Sequence, residues 1–187
     1  YLDGAVVGLD GVLAQQANYA RSGFKLAHRN VRFGGRPGVK ATSDGRVKRV
    51  GPSLVQPVLD YDRPFFAGPR EPFMRCWLHP DLRTAFALVE DGAVRGYGVI
   101  RACGEGYKIG PLFADGEREA DVLFQALAAC AGNAQLFLDL PEPNRAAIAL
   151  ATRHGLSPVF ETARMYRGAD PGLPPAKIFG ITTFELG

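Results

Sequence analysis

One pattern constrains the fold of this chain more than any other: a helix, a glycine stop and a strand, which occur twice. The first copy is Ala17-Asn18-Tyr19-Ala20-Arg21-Ser22-Gly23-Phe24, followed by Leu26 to Phe33 and Gly34. The second is Ala149-Leu150-Ala151-Thr152-Arg153-His154-Gly155-Leu156, followed by Val159 to Arg167 and Gly168. The strand tails pair Arg32-Phe33-Gly34 with Tyr166-Arg167-Gly168. A unit recurring about 130 residues apart points to two domains of one type. The expected organisation is residues 1–34 as the tail of one domain, 35–45 as a linker and 46–187 as a second, whole domain. The linker assignment rests on Gly34-Gly35-Arg36-Pro37-Gly38.

The pass along the chain predicts a strand at Ala5 to Leu9, an Asp10-Gly11 turn and a helix from Val12 to Ser22. A strand then runs from Lys25 to Phe33. After the linker, Val47 to Val50 reads as a short strand. Ser53 to Tyr61 and Glu71 to Leu78 read as helices separated at Pro64 and Pro69. Thr84 to Val89 and Val94 to Ala102 flank Asp91-Gly92, a hairpin signal, and Tyr107 to Phe113 extends the meander. In Glu117 to Ala131, Ala120, Leu123, Phe124, Leu127 and Ala131 share one helical face. Gln135 to Leu140 alternates weakly, as a strand covered on both faces does. Asn144 is placed to cap a helix that Gly155 ends. Val159 to Tyr166 and Ile178 to Leu186 close the chain as strands. The order predicts an α/β (α+β) mixed sheet with helices on both faces.

The 187 residues are 47% hydrophobic and 22% charged, ordinary values for a globular protein. No apolar run approaches the roughly 18–20 residues of a membrane span, so no membrane association is expected. Tyr1-Leu2-Asp3-Gly4 does not read as a signal peptide, and a start on Tyr suggests a cut or partial chain. Cys76, Cys103 and Cys130 lack paired spacing and read as buried thiols of a cytoplasmic protein. The net charge is +3. Residues 1–60 hold the basic excess, including Arg46-Val47-Lys48-Arg49. A solvated edge strand is the preferred reading of that stretch, ahead of a nucleic-acid patch or an anionic cofactor site. His28, His79 and His154 have no ligand spacing, so no metal is expected. His154 reads as a cation at a helix C-terminus. Asp60, Asp62 and Arg63, beside Tyr61, Phe65 and Phe66, read as a solvated loop with an aromatic anchor, ahead of a cluster that grips an amine.

The element order resembles the GCN5-related N-acetyltransferase (GNAT) fold, an acyl-CoA N-acyltransferase fold with a splayed pair of parallel strands. The closest local match is Asn144 to Leu156, where Asn144, Ala147, Ile148, Leu150 and Gly155 fit the family's spacing in register. Together with Pro141-Glu142-Pro143-Asn144 and the closing Phe179 to Gly187, the chain resembles a tandem-GNAT group of bacterial acetyltransferases. There a catalytic domain precedes a degenerate one. The resemblance implies acetyl transfer from acetyl-CoA to a primary amine, carried by a small molecule or a peptide. It implies acetyl-CoA mainly in a preceding domain, and it leaves a homodimer open.

Two departures set the second domain apart. The family cradles pyrophosphate in a glycine-rich loop at a helix N-terminus. The corresponding stretch here, Ala114-Asp115-Gly116-Glu117-Arg118-Glu119-Ala120, has one glycine and three acids. Ala151 stands where many members carry a tyrosine that protonates the leaving thiolate. The second domain is therefore expected to be non-catalytic. In the first copy Tyr19 occupies that tyrosine's place, four residues before Gly23, and Val12 replaces the leading Asn. The resemblance implies Tyr19 as general acid and Gln15 and Arg21 as cofactor contacts. It also implies Asp139, Glu142 and Asn144 as ligand contacts at the end of the strand lining the acyl groove. A packing aromatic, for Tyr19, and a cap, for Asn144, are the alternatives that need no ligand. The competing functional reading is a GNAT-like module that binds substrate, senses a ligand or supports dimerisation without activity of its own.

Overall fold

The computed structural model describes residues 4–39 and 43–186. Strand β1 (Val7–Gly11) is followed by a one-turn 3-10 helix (Leu13–Gln15) and α1 (Gln16–Arg21). Strand β2 covers Lys25–Gly35 and β3 Val47–Arg49. Helices α2 (Pro52–Asp62) and α3 (Glu71–Trp77) precede the meander β4 (Thr84–Glu90), β5 (Ala93–Cys103) and β6 (Gly106–Ala114). Then come α4 (Glu117–Ala129), β7 (Leu136–Pro141), α5 (Arg145–Arg153), β8 (Ser157–Arg167) and the short β9 (Ile178–Gly180).

Local chemistry accounts for most of these boundaries. Asp91 and Gly92 both adopt positive φ (50° and 76°), the geometry of a two-residue turn matched to strand twist. Gly23 and Gly155 adopt φ of 85° and 76° after α1 and α5, where a Cβ would be strained. Asn144 accepts a hydrogen bond from the Ala147 amide at 3.1 Å and caps α5. The apolar face of α4 is buried as expected, with Ala120, Leu123, Phe124 and Leu127 fully inaccessible. Each of the three large side chains contributes about 1.5–3 kcal/mol by burial.

The strands form one nine-stranded mixed sheet in the order β1-β8-β2-β7-β6-β5-β4-β3, with β9 on β6. One core lies between the sheet and α4/α5 (Leu123, Phe124, Leu138, Leu150). A second lies under α2 and α3 (Val58, Met74, Tyr97, Phe113). The basic strand β3 forms one edge, and β1 forms the other.

Of the segment before the expected linker, β1 and β2 are woven into this sheet. Strand β2 lies between β7 and β8, antiparallel to both, and β1 adds to the far side of β8. The four strands β1, β8, β2 and β7 are related by a local twofold centred on the Asn30–Thr162 pair. Asp10 stands opposite Arg164 across β1/β8, and Asp139 opposite Arg32 across β7/β2. Around the centre, His28 pairs with Arg164 and Arg32 with Phe160, while Arg29 pairs with Ala163 and Val31 with Glu161. Arg32 and Arg164 each lie nine residues after their glycine, Gly23 and Gly155. The structural equivalence is thus Arg32 with Arg164, which corrects the pairing of Arg32-Phe33-Gly34 with Tyr166-Arg167-Gly168. On the same spacing Tyr19 corresponds to Ala151 and Arg21 to Arg153.

Four further expectations change. Asp10 and Gly11 belong to β1 and do not form a turn, because Asp10 pairs with Arg164 across the ladder. The first helix is split, with a 3-10 turn preceding six α-helical residues. The closing strand stops at Gly180 and does not reach Leu186, because the Ile181 amide leaves the ladder to bond the Asp139 carbonyl at 2.8 Å. The three cysteines are free, but Cys76 and Cys130 are exposed and Cys103 is half-buried, so they are not core thiols.

Candidate active site

The parallel pair β6/β7 is the feature from which a groove would be built. The two strands are in register only at Tyr107–Ile109 against Leu136–Leu138, and beyond that point they part. The wedge between them is filled by the chain itself. β9 pairs with β6 at Leu112/Gly180 and Phe113/Ile178, and the Ile181 amide bonds to Asp139 on β7. The fit requires glycine on both sides. A Cβ on Gly180 would lie 2.6 Å from Leu138, and one on Gly110 would lie 2.7 Å from the Ile181 carbonyl.

The filling segment is held by buried polar groups. Asn144 donates Nδ2 to the Ile178 carbonyl at 2.9 Å. Arg70 donates to Thr182 Oγ1 at 3.0 Å and forks onto Asp62 through two bonds of 2.8 and 2.6 Å. Tyr97 also donates to Asp62. Burial opposes the charge on Arg70, but the paired Asp62 carboxylate outweighs it and raises the guanidinium pKa. Asp62 is therefore the centre of a buried cluster, which corrects its reading as part of a solvated loop. Asp60 and Arg63 are exposed and pair with each other at 3.2 Å.

Asp139 is fully buried. Arg32 grips both its oxygens, at 2.7 and 2.9 Å, and Lys108 donates to the second. Burial lowers the Lys108 pKa, and Asp139 opposes that shift. The Phe184 ring lies 4.7 Å from the Arg32 guanidinium and 5.4 Å from the Lys108 ammonium. Asp139 and Asn144 thus meet through the filling segment. Glu142 is half-buried, and its amide bonds the Arg29 carbonyl at 2.9 Å.

At the other edge, Tyr19 is half-buried against Gly11 of β1, with Phe24 edge-on at 6.5 Å. Gln15, in the 3-10 turn, and Arg21, at the end of α1, are exposed, and Asn18 bridges their side chains. The structure therefore separates the candidates into two sets, one on α1 and one at the end of β7. Lys108, Arg70 and Phe184 escaped the sequence reading, since the Lys108–Asp139, Arg70–Thr182 and Phe184–Arg32 contacts join segments far apart in the chain. The one local signal was a lysine in an otherwise apolar run, Tyr107 to Phe113.

The residues around the start of α4 do not fit coenzyme A in the manner the fold implies. At the start of α4 stand Glu117 and Glu119, with Asp115 just before them. The Glu119 carboxylate lies 2.9 Å from where a Cβ on Gly116 would sit, so negative charge covers the amides that would meet phosphate. Asp115 is tied to Lys177 at 2.9 Å and accepts from Tyr61 at 3.1 Å. Ala151 is buried and offers no proton. Among the described residues, no group of three or more His, Cys, Asp or Glu side chains could hold a metal.

Residues 58–180 match the family model described as an acetyltransferase (GNAT) domain, and the chain belongs to that family. It is 29% identical over 188 residues to the holothin acyltransferase of Pseudoalteromonas sp. (strain SANK 73390), covering all of this chain and 64% of that protein. Among solved structures, an acetyltransferase-assigned protein of Pyrococcus horikoshii superposes with a TM-score of 0.79 at 23% identity. That match covers 97% of this chain and 60% of the other. The GCN5-related N-acetyltransferase of Sphaerobacter thermophilus gives 0.59 at 14%, covering 89% and 62%. The chain thus spans less than two thirds of the length of each of these three proteins.

Proposed function

We propose that this chain is the C-terminal part of a tandem GNAT N-acetyltransferase that moves an acetyl group from acetyl-CoA to a primary amine. In this reading the complete domain, 46–187, is non-catalytic and residues 1–34 belong to a preceding catalytic domain. The observation that carries it is the local twofold. The second copy has β6 beside β7 and α4 beside α5, whereas no counterparts flank β1 and α1 among the described residues. No residue of α1 is buried, as expected for a helix whose packing partner lies elsewhere.

Tyr19 takes the acid's role in this reading because its equivalent in the second copy is Ala151. Acetyl-CoA would supply the activated acyl group. The Tyr19 phenol would hold the proton due to the leaving sulfur, while Gln15 and Arg21 would lie toward the cofactor. The three free thiols support a reducing, cytoplasmic setting. That the Pseudoalteromonas relative is a holothin acyltransferase supports a small-molecule amine over a peptide.

The alternative, a binding or dimerisation module without activity, draws on the filled wedge between β6 and β7. Calorimetric titration of acetyl-CoA into this chain, and into a longer chain with a complete first domain, tests both readings. Heat from the longer chain alone is the expected result. Heat from neither would leave the module reading, and heat from the present chain would overturn the non-catalytic assignment. In the longer chain, Tyr19→Phe is expected to lower kcat by about 100-fold or more with KM unchanged.

A further inference from the structure

Positive charge is left without an answering acid where β4 begins and β5 ends. Thr84, the first residue of β4, pairs with Ile100 on β5. Carried one step further, that antiparallel register sets Arg83 opposite Arg101. Like charges placed opposite each other destabilise a strand pair, so the arrangement is costly as it stands. Arg101 lies two residues after the buried Val99 and shares its face of the sheet, under α2 and α3. There Trp77 of α3 forms a platform for both arginines. Its ring centroid lies 4.1 Å from the Arg83 guanidinium and 5.7 Å from that of Arg101. The platform is fixed, because Trp77 donates Nε1 to the Gly110 carbonyl at 3.1 Å and Phe73 stacks on the indole at 5.2 Å.

Arg32, Arg46, Arg70 and Arg164 each meet a carboxylate, at 2.7, 2.8, 2.6 and 2.6 Å. Arg83 and Arg101 meet none among the described residues. Their hydrogen bonds go to main-chain carbonyls and are long, from Arg83 Nη1 to Cys76 at 3.4 Å and from Arg101 Nη1 to Ala102 at 3.5 Å. Arg83 Nε is buried and has no partner. Burial, and then the neighbouring Arg101, disfavour the charge on Arg83. Asp81, the acid nearest to Arg83 in sequence, is exposed and pairs with His79 at 3.7 Å. Lys108, opposite Arg101 on β6, already holds Asp139.

The pair therefore presents two uncompensated charges, and Nη2 of each arginine makes no hydrogen bond among the described residues. A cation would be repelled, and a neutral group would leave both charges unanswered. A carboxylate would neutralise one guanidinium of the two. A phosphate group, which carries close to two charges above pH 7, neutralises both and offers acceptor oxygens to each side.

We propose that Arg83 and Arg101, on the Trp77 platform, bind a phosphate group, either as the free anion or as the monoester of a small molecule. The site is distinct from the cradle that the fold would place at the start of α4. Arg101 is level with Lys108, whereas α4 starts just after Ala114, roughly 20 Å further along β6. The proposal is also independent of the acyl-transfer reading, since neither arginine takes part in it.

Trp77 is the one tryptophan of the chain, so its fluorescence and its indole ¹⁵N–H signal report on this site. Inorganic phosphate, phenyl phosphate and acetate are the probes, titrated at pH 7.5 with sodium chloride holding the ionic strength constant. Phosphate is expected to change both signals saturably and to bind about fivefold or more tightly than acetate. Arg83→Gln and Arg101→Gln should each weaken it by about fivefold or more. Both positions are half-exposed, so neither variant removes a core side chain. Tighter binding of phenyl phosphate than of phosphate would support a monoester as the ligand, and equal or weaker binding would support the free anion. Acetate binding as tightly as phosphate would overturn the proposal. So would no saturable change in either signal up to 20 mM phosphate, or an affinity unchanged in the two variants.

Discussion

Asp139 is the residue whose surroundings diverge most from the way it reads in sequence. Alone it is an acid at a strand end. In the fold it neutralises Arg32 and Lys108 inside the sheet, under the ring of Phe184. Removing it leaves two cations with no carboxylate, so Asp139→Ala is expected to cost about 3–5 kcal/mol in urea unfolding. The double variant Asp139→Leu/Lys108→Met should recover part of that loss. Asn144→Ala removes both a helix cap and the anchor of Ile178, and a loss of about 1–2 kcal/mol is expected in the same assay. His28 gives a pH signature. Its folded pKa is lowered below 6.5 by burial and by Arg164. Its contribution to stability is thus complete above pH 6.5 and fades as the pH falls toward the folded value, where only the unfolded chain readily takes the proton. The urea midpoint should drop between pH 7.5 and 5.5, and the drop should shrink in His28→Gln.

At the scale of elements, what was legible and what was not divide by the range of the interactions. Gly23, Gly155 and Asp91-Gly92 announce themselves because few other residues tolerate their φ. The face of α4 is legible from spacing alone. The fate of Ile178 to Leu186 is not, because its β-rich composition cannot reveal that a carbonyl on β7 will capture the Ile181 amide. The same holds for Asp10, a turn former by type that a cross-strand arginine keeps in β1. His154 is half-legible. It does end α5, yet it is set by stacking on Phe124 at 4.6 Å and by Asp121 at 2.8 Å. The wedge segment yields an element-scale prediction. Gly180→Val should destabilise by about 1–3 kcal/mol through overpacking on Leu138, with new dye-binding apolar surface if β9 detaches.

For the whole molecule, the twofold at Asn30–Thr162 turns two apparent segments into one sheet. The repeat was visible in the sequence as helix, glycine and strand, but not the exchange of neighbours, because nothing local in Lys25–Gly35 names β7 and β8 as its partners. The two candidate sets, Gln15, Tyr19 and Arg21 near the first helix and Asp139, Glu142 and Asn144 at the end of β7, came from family spacing, whereas the Arg32 and Lys108 contacts of Asp139 had no local signal in the sequence beyond a lysine in an apolar run. Protection should be graded across the sheet. Amide exchange in β6 and β7 should be slowest, and that in β1 and α1 fastest, because α1 buries none of its residues and β1 pairs only with β8 among the described residues.

The central position of β2 also governs the order in which the molecule can be assembled. A ribosome completes this strand roughly a hundred residues before either of its neighbours exists, so its eleven residues must wait unpaired while the meander and α4 form. Closing the sheet is then a late, long-range event. The waiting strand, rather than any part of the cores, is where a chaperone would have most to protect during synthesis.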